Sequence, residues 1–477
     1  MDQILLPVSM TFIRWFGLSG SVMLAVAGWL GGAHPDADLR STPVSIAQGP
    51  YGPAILGLWL LGTAIQAYAW WSGRDRVPSV RWGLVTALLW SLPFLLTPPV
   101  GSRDFYSYWC QGEMFLHDID PYRFGVDALP CTYLETVSPI WRESVTPYGP
   151  MFILVAAFAV WLGSNLTTAL VLFRLVTLAG MAAIAAGLPA LARRCGVDPQ
   201  RAVWVALAGP LIGAHLLGAP HNDAVMLGFA VLGFFVIVRA SSHPVALVAG
   251  GALLGLAFSV KATTVVLIPF AVLIAARSFL AATALVGGGA LASFGVVTVT
   301  SGLGFGWVPA MQGSVSLIQF SSPPTAVGMT ITYLGRPFSA DFNAVPFVRN
   351  VALALLAVTL VWLWVRALRT PAQYRTRAAL RGAALALTAF VVLSPVFHPW
   401  YALWPLTFLA ATTVRNKAMM VITIISAFIV LPDGSGLTRF VKFPGAPIVT
   451  IVLIVLAVRY FRQRQAAART PHPVTTA

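Results

Sequence analysis

Apolar runs fill this chain from end to end, broken by short clusters of Arg, Gly and Pro. Most runs approach the ~20 residues that a helix needs to cross a bilayer. They predict helices near 10–31, 53–72, 82–99, 168–192, 202–220, 223–239, 244–260, 262–276, 279–300, 350–366, 382–397, 400–414, 418–432 and 446–459. The fold class that follows is an all-α polytopic membrane protein: one bundle of about 12–14 transmembrane helices over 1–477.

Composition excludes the other classes. Hydrophobic residues make up 58% of the 477 and charged residues 9%, against about 25% charged in a soluble domain. The net charge of +15 invites a nucleic-acid reading. However, the basic residues lie between apolar runs and form no continuous face, so no nucleic-acid partner is expected. They read instead as topology signals. The segments 74–81, 193–201, 239, 277, 366–381, 415–417 and 459–469 hold 19 of the 30 basic residues, with only Asp75 and Asp198 among the acids. They are assigned to the cytoplasmic side of a plasma-membrane protein, together with both termini and a basic tail over 460–477. The extracytoplasmic side receives 99–147, with seven of the 15 acids, and the Gly-, Ser- and Pro-rich 301–348. If the run at 148–163 crossed, Arg193 and Arg194 would land outside. It is therefore read as an interfacial helix, closing a first large outer loop over 99–163. The first run follows a weak basic region and precedes no small-residue cleavage site, so it reads as a span and not as a signal peptide. Cys110 and Cys131 both fall in the acidic loop, leaving a disulfide and two unpaired thiols equally open. No spacing forms a metal site, and no cofactor is expected.

Ionisable groups at span boundaries are costly and mark function. Arg174 lies 19 residues before Arg193, Arg201 20 before His221, Arg239 22 before Lys261 and Arg381 17 before His398. Each gap is about one crossing at 1.5 Å per residue. If the other arginines are cytoplasmic, then Arg174, His221, Lys261 and His398 all arrive at the outer boundary. Each has an ordinary alternative. Arg174 can snorkel to lipid phosphates, Lys261 can mark a tight turn, Asn222 or Asp223 can cap a helix, and His398-Pro399-Trp400-Tyr401 can anchor at the interface. Convergence at one depth favours a site.

The loop at 99–147 opens Gly101-Ser102-Arg103-Asp104-Phe105-Tyr106, just after Thr97-Pro98-Pro99 ends a span. A carboxylate at the membrane surface beside aromatic rings suits a general base acting on a sugar hydroxyl. Asp120, before Pro121, reads as a turn residue. Glu113 and Asp118 read as solvated acids.

The stretches "GSRDFYSYWCQG", "DIDPYRFG", "SPIWRESVTPYGP", "GAPHND", "GLAFSVKATTVVLIPF" and "SPVFHPWY" resemble, in this order, the actinobacterial α-(1→6)-mannopyranosyltransferases of the MptA/MptB type, in the glycosyltransferase C superfamily. The likeness covers about residues 95–405. It implies a helical bundle with catalytic loops on the extracytoplasmic face. It also implies polyprenyl-phosphate-mannose as donor, a lipid-linked mannan of the lipomannan and lipoarabinomannan type as acceptor, and a loop acid as base. That acid maps onto Asp104, with Arg103 a weaker match. The residues fit such chemistry. Lys261 and Arg174, with His221, supply positive charge for a phosphate leaving group. Tyr106, Asn222, Asp223, His398, Trp400 and Tyr401 are candidates for sugar or acceptor. By sequence, His221 and His398 serve the donor equally well. One base suffices for an inverting transfer. Rival readings are another polyprenyl-phosphate-sugar transferase, arabinofuranosyl or α-1,2-mannosyl, and a polar-solute or lipid transporter. A solute transporter would place its charges near mid-bilayer, and here they sit at span ends.

Overall fold

A computed structural model describes residues 8–36, 42–315 and 317–469. The end of the basic tail, 470–477, and the first seven residues, on which the signal-peptide reading partly rests, lie outside them. The major helices are α1 Met10–Gly31, α2 Gly52–Gly73, α3 Val80–Leu95, α4 Asp104–Leu116, α5 Pro150–Gly163, α6 Leu166–Cys195, α7 Pro199–Leu207, α8 Asp223–Arg239, α9 Pro244–Val260, α10 Phe279–Ser301, α11 Pro323–Gly335, α12 Val345–Leu368, α13 Ala372–Leu393, α14 Leu403–Thr412, α15 Lys417–Phe428 and α16 Lys442–Arg469. The described residues contain no strand, only one isolated bridge, Val430 to Gly436. Among them, seven helices are long and apolar enough to cross a membrane, or eight if a bent pair at Pro199–Gly218 is one span. Five shorter apolar helices accompany these.

Several expected elements change on folding. The run 202–220 breaks with a bend of 41°, because Pro210 brings no N–H and its ring opposes a continuous helix. The chain beyond it winds into a π turn, Gly213–Gly218, a feature often found at functional sites. The run 262–276 begins as a 3₁₀ turn, Ala262–Leu267, and is helical only to Val272. α13 starts ten residues earlier than the predicted 382, through the basic segment, and stops at Leu393 ahead of Pro395. Both large loops contain helices: α4 in the first, Trp307–Val315 and α11 in the second.

Contacts gather the segments between helices into two groups. Arg201 joins Asp75 at 2.9 Å and Asn416 at 3.0 Å, and Arg277 donates to the Ser242 carbonyl. At the other end Gly101 donates to the Pro432 carbonyl, Gly149 to that of Val260, and Ser322 to that of Ser394.

At the second end α4 is fixed along its back. Tyr106 donates to the Ala33 carbonyl at 2.6 Å. Glu113 accepts from the Thr132 amide and from Trp109. Cys110 and Cys131 form a disulfide with Cα atoms 5.5 Å apart, closing a question the sequence left open. Gly112 lets α5 approach, since a Cβ there would lie 2.7 Å from the Ala156 backbone. The bridge spans 21 positions, so the loop it closes is worth about 3 kcal/mol. The doubly substituted Cys110→Ser, Cys131→Ser protein is expected to unfold at lower temperature than the oxidised wild type, by tryptophan fluorescence. Equal unfolding temperatures would mean that the bridge holds nothing in place.

Candidate active site

Gly101 adopts φ +79°, a left-handed conformation that an L side chain resists. It turns the chain from α3 into α4. The Asp104 amide then donates to Ser102 Oγ at 3.1 Å. Asp104 opens α4, where the helix dipole favours its negative charge.

His221 stands behind that carboxylate. Its Nε2 lies 3.5 Å from Asp104 Oδ2, and the imidazole is fully buried. Its Nδ1 faces the carbonyl oxygens of His215 and, at 3.0 Å, Ala219. Carbonyls only accept, so Nδ1 carries a proton. Nε2 is the ring atom turned to the Asp104 carboxylate. Burial works against the Asp104 charge. The contact with His221 and the positive potential of His221 and Lys261 outweigh it, holding the carboxyl below its usual range. Asp104 is 17% exposed and lines a cavity of about 610 Å³.

Lys261 ends α9 in an extended conformation, so its side chain leaves the helix and crosses to the start of α8. Its ammonium lies 2.9 Å from Asp223 Oδ1 and 3.5 Å from Asn222 Oδ1. Asp223 also accepts from Trp404 Nε1. Neither Asn222 nor Asp223 caps α8: Asn222, at the cap position, makes no side-chain capping bond, and the Asp223 carboxylate is turned to Lys261 and Trp404. Lys261 sits among three aromatic rings, 4.8 Å from the centroid of Tyr401, 4.9 Å from Trp404 and 5.7 Å from Tyr148. This is a cation–π cage with one side on the cavity, which Lys261 also lines.

The third wall comes from the turn after α13. His398 stacks on Trp400 at 5.0 Å, and Trp400 packs on His221 at 4.0 Å. Burial pushes the His398 imidazole down to about 4, so it is neutral near pH 7. His398, Trp400 and Tyr401 all line the cavity.

Of the residues picked out by sequence, Asp104, Lys261, His398, Trp400 and Tyr401 face one space, with His221, Asn222 and Asp223 directly behind. Arg174 does not join them. Its guanidinium donates to the carbonyls of Leu95, Pro98, Leu217 and Gly218 and to Thr97 Oγ1, at 2.8–3.4 Å. It ties the end of α3 to the π turn, satisfying carbonyls left free by helix ends. Tyr106 points to Ala33 on the back of α4. Arg103 is buried and donates to the His34 carbonyl at 3.3 Å. The sequence reading missed Tyr148, Trp141, Trp404, Ser107 and Gln111, all on the cavity wall. Among the described residues no three His, Cys, Asp or Glu side chains converge to hold a metal ion.

Much of the remaining wall is apolar, with Phe258, Val265, Met311, Leu353, Leu356 and Phe390. Val265 and Leu353 are also exposed on the outer surface of the molecule. A charged end and an apolar limb reaching the surface fit a ligand with a polar head and a long hydrocarbon tail.

Comparison with known proteins adds the following. Residues 14–277 match a family model described as α-(1→6)-mannopyranosyltransferase, N-terminal domain, and residues 324–459 match the MptB C-terminal domain. The chain is 32% identical to α-(1→6)-mannopyranosyltransferase A of Mycobacterium tuberculosis, over 95% of this chain and 91% of the relative. It is 29% identical to a probable α-(1→6)-mannopyranosyltransferase of Mycolicibacterium smegmatis, over 94% and 88%. It is 26% identical to α-(1→6)-mannopyranosyltransferase B of Corynebacterium glutamicum, over 93% and 81%. No solved structure matches.

Proposed function

This chain belongs to the α-(1→6)-mannopyranosyltransferase family, and from that premise we propose that it moves mannose from polyprenyl-phosphate-mannose onto a lipid-linked mannan. The acceptor would be the α-1,6 backbone of lipomannan and lipoarabinomannan, and the site would open on the extracytoplasmic face of the plasma membrane. One observation carries this reading: a carboxylate and an ammonium face a single cavity whose apolar limb reaches the outer surface of the bundle. A polyprenyl chain suits that limb, and its phosphate suits the end at Lys261.

In the proposed reaction the acceptor hydroxyl attacks the anomeric carbon while Asp104 takes its proton. The bond from that carbon to the phosphate oxygen breaks, and its electron pair leaves with the phosphate. Lys261 stabilises the charge that develops there. One displacement inverts the anomeric centre and needs no covalent intermediate. Asp104 suits the base better than Asp223, which is fully buried and engaged by Lys261 and Trp404. His221 keeps Asp104 ionised from behind, a role distinct from the phosphate contact suggested by sequence. Arg174 is left with a structural role. The test is transfer by purified protein offered two sugar-labelled donors, polyprenyl-phosphate-mannose and a nucleotide-linked mannose. Label is expected to move from the lipid donor alone, and transfer only from the nucleotide donor would end the proposal.

A further inference from the structure

α4 brings more to the cavity than Asp104. Ser107 and Gln111 follow it by three and seven positions, a spacing that places all three on one helical face, and both line the same cavity. Both residues are 6% exposed. Ser107 Oγ and Gln111 Oε1 are buried without a hydrogen-bond partner. Buried polar atoms are nearly always paired, and two such atoms on one wall indicate a ligand that supplies the partners. The helix does not use them to hold its place. That is done on other faces, through Tyr106, Glu113 and the Cys110–Cys131 bridge.

The geometry points to Ser107 and Gln111 as the residues that read the sugar chain of the acceptor. This rests on the transferase reading above, in which Asp104 receives the proton of the acceptor hydroxyl. Along the helix axis Ser107 lies ~4.5 Å and Gln111 ~10.5 Å beyond Asp104, at 1.5 Å per residue. A hexose ring is about as long as one helical turn, ~5.4 Å. With the reacting hydroxyl at Asp104, Ser107 meets another hydroxyl of the terminal mannose. Gln111 Oε1 accepts from a hydroxyl of the sugar before it. The ligand class is an oligosaccharide of at least two hexoses, and Gln111 sets a preference for two units over one.

The test uses full-length protein in nanodiscs, with α-1,6-linked mannose mono- and disaccharide glycosides as acceptors. Losing one neutral hydrogen bond is worth roughly a 3- to 10-fold change. Gln111→Leu is expected to lower kcat/KM for the disaccharide by about that factor, leaving the monosaccharide and the donor KM unchanged. Ser107→Ala is expected to lower it for both acceptors. Neither change should lower the unfolding temperature, since neither atom has a partner within the protein. An equal loss on both acceptors in Gln111→Leu, a shift in donor KM alone, or a drop in unfolding temperature with unchanged kinetics would each overturn the assignment. Titration of the disaccharide into donor-free protein separates this claim from the donor claim. Wild-type protein that binds the disaccharide more tightly than Gln111→Leu, yet transfers nothing from the lipid donor, would sink the donor reading and keep this one. Transfer from the lipid donor with the two proteins binding equally would do the reverse.

Discussion

Asp104→Asn protein is expected to fold, to bind the lipid donor and to transfer mannose at least 10²–10⁴-fold more slowly than wild type, the range typical for loss of a general base. Asn keeps the size of the side chain and its place at the start of α4, but it cannot take a proton. Near neutral pH the wild-type carboxylate is ionised, because positive charge around it holds its carboxyl below the ordinary value. Protonation removes the base. The acid limb of kcat/KM should therefore lie below the ~3.9 of a free Asp and be absent from the residual activity of the variant. If Asp104 served only to pair with His221, the variant would lose stability and keep turnover. That outcome would send the search for the base elsewhere in the cavity.

Lys261→Met carries the second large effect, and it has two parts. Asp223 is fully buried and its partner is 10% exposed. Removing the ammonium leaves a buried carboxylate with Trp404 alone, a change that costs about 3–5 kcal/mol in comparable pairs. The cavity also loses the charge that would meet the donor phosphate. Combining Lys261→Met with Asp223→Asn should recover most of the stability and none of the donor binding. Thermal unfolding and donor titration on the three proteins separate these contributions. Wild-type donor affinity in the stable double variant would remove Lys261 from the phosphate site.

Periodicity revealed the long apolar helices because burial and lipid exposure both demand uninterrupted hydrophobic runs. It missed α4, whose 13 residues are too few and too polar for a span. The helical signal in it lies at a different period. Asp104, Ser107 and Gln111 recur on one face, Tyr106, Trp109 and Cys110 lie off it, within a stretch that reads as a loop when only apolar runs are followed. The break at Gly209-Pro210 was written in the proline, but the π turn beyond it was not, since it depends on packing around His215 and the Arg174 guanidinium.

The site divides along the same line. Counting one crossing from a basic residue gives the height of a side chain and says nothing of its direction. Lys261 and His398 fall at helix breaks, where the chain turns inward, and both reach the cavity. Arg174 has the same spacing but sits within α6, and the phase of that helix aims it at the end of α3. Tyr106 is a candidate by its nearness to Asp104 in sequence, yet two positions along a helix turn a side chain well away from its neighbour's face. The sequence offers Asn222 and Asp223 as sugar contacts. Full burial behind Lys261 makes them its support instead.

The most direct test of the account is a structure of the protein with a non-transferable phosphonate analogue of polyprenyl-phosphate-mannose. The phosphonate is predicted within about 4 Å of Lys261 Nζ, the distance of an ion pair. The mannose ring should lie between it and Asp104, and the polyprenyl chain along Leu353, Leu356 and Phe390. A headgroup bound away from this cavity, with Asp104 and Lys261 untouched, would contradict it.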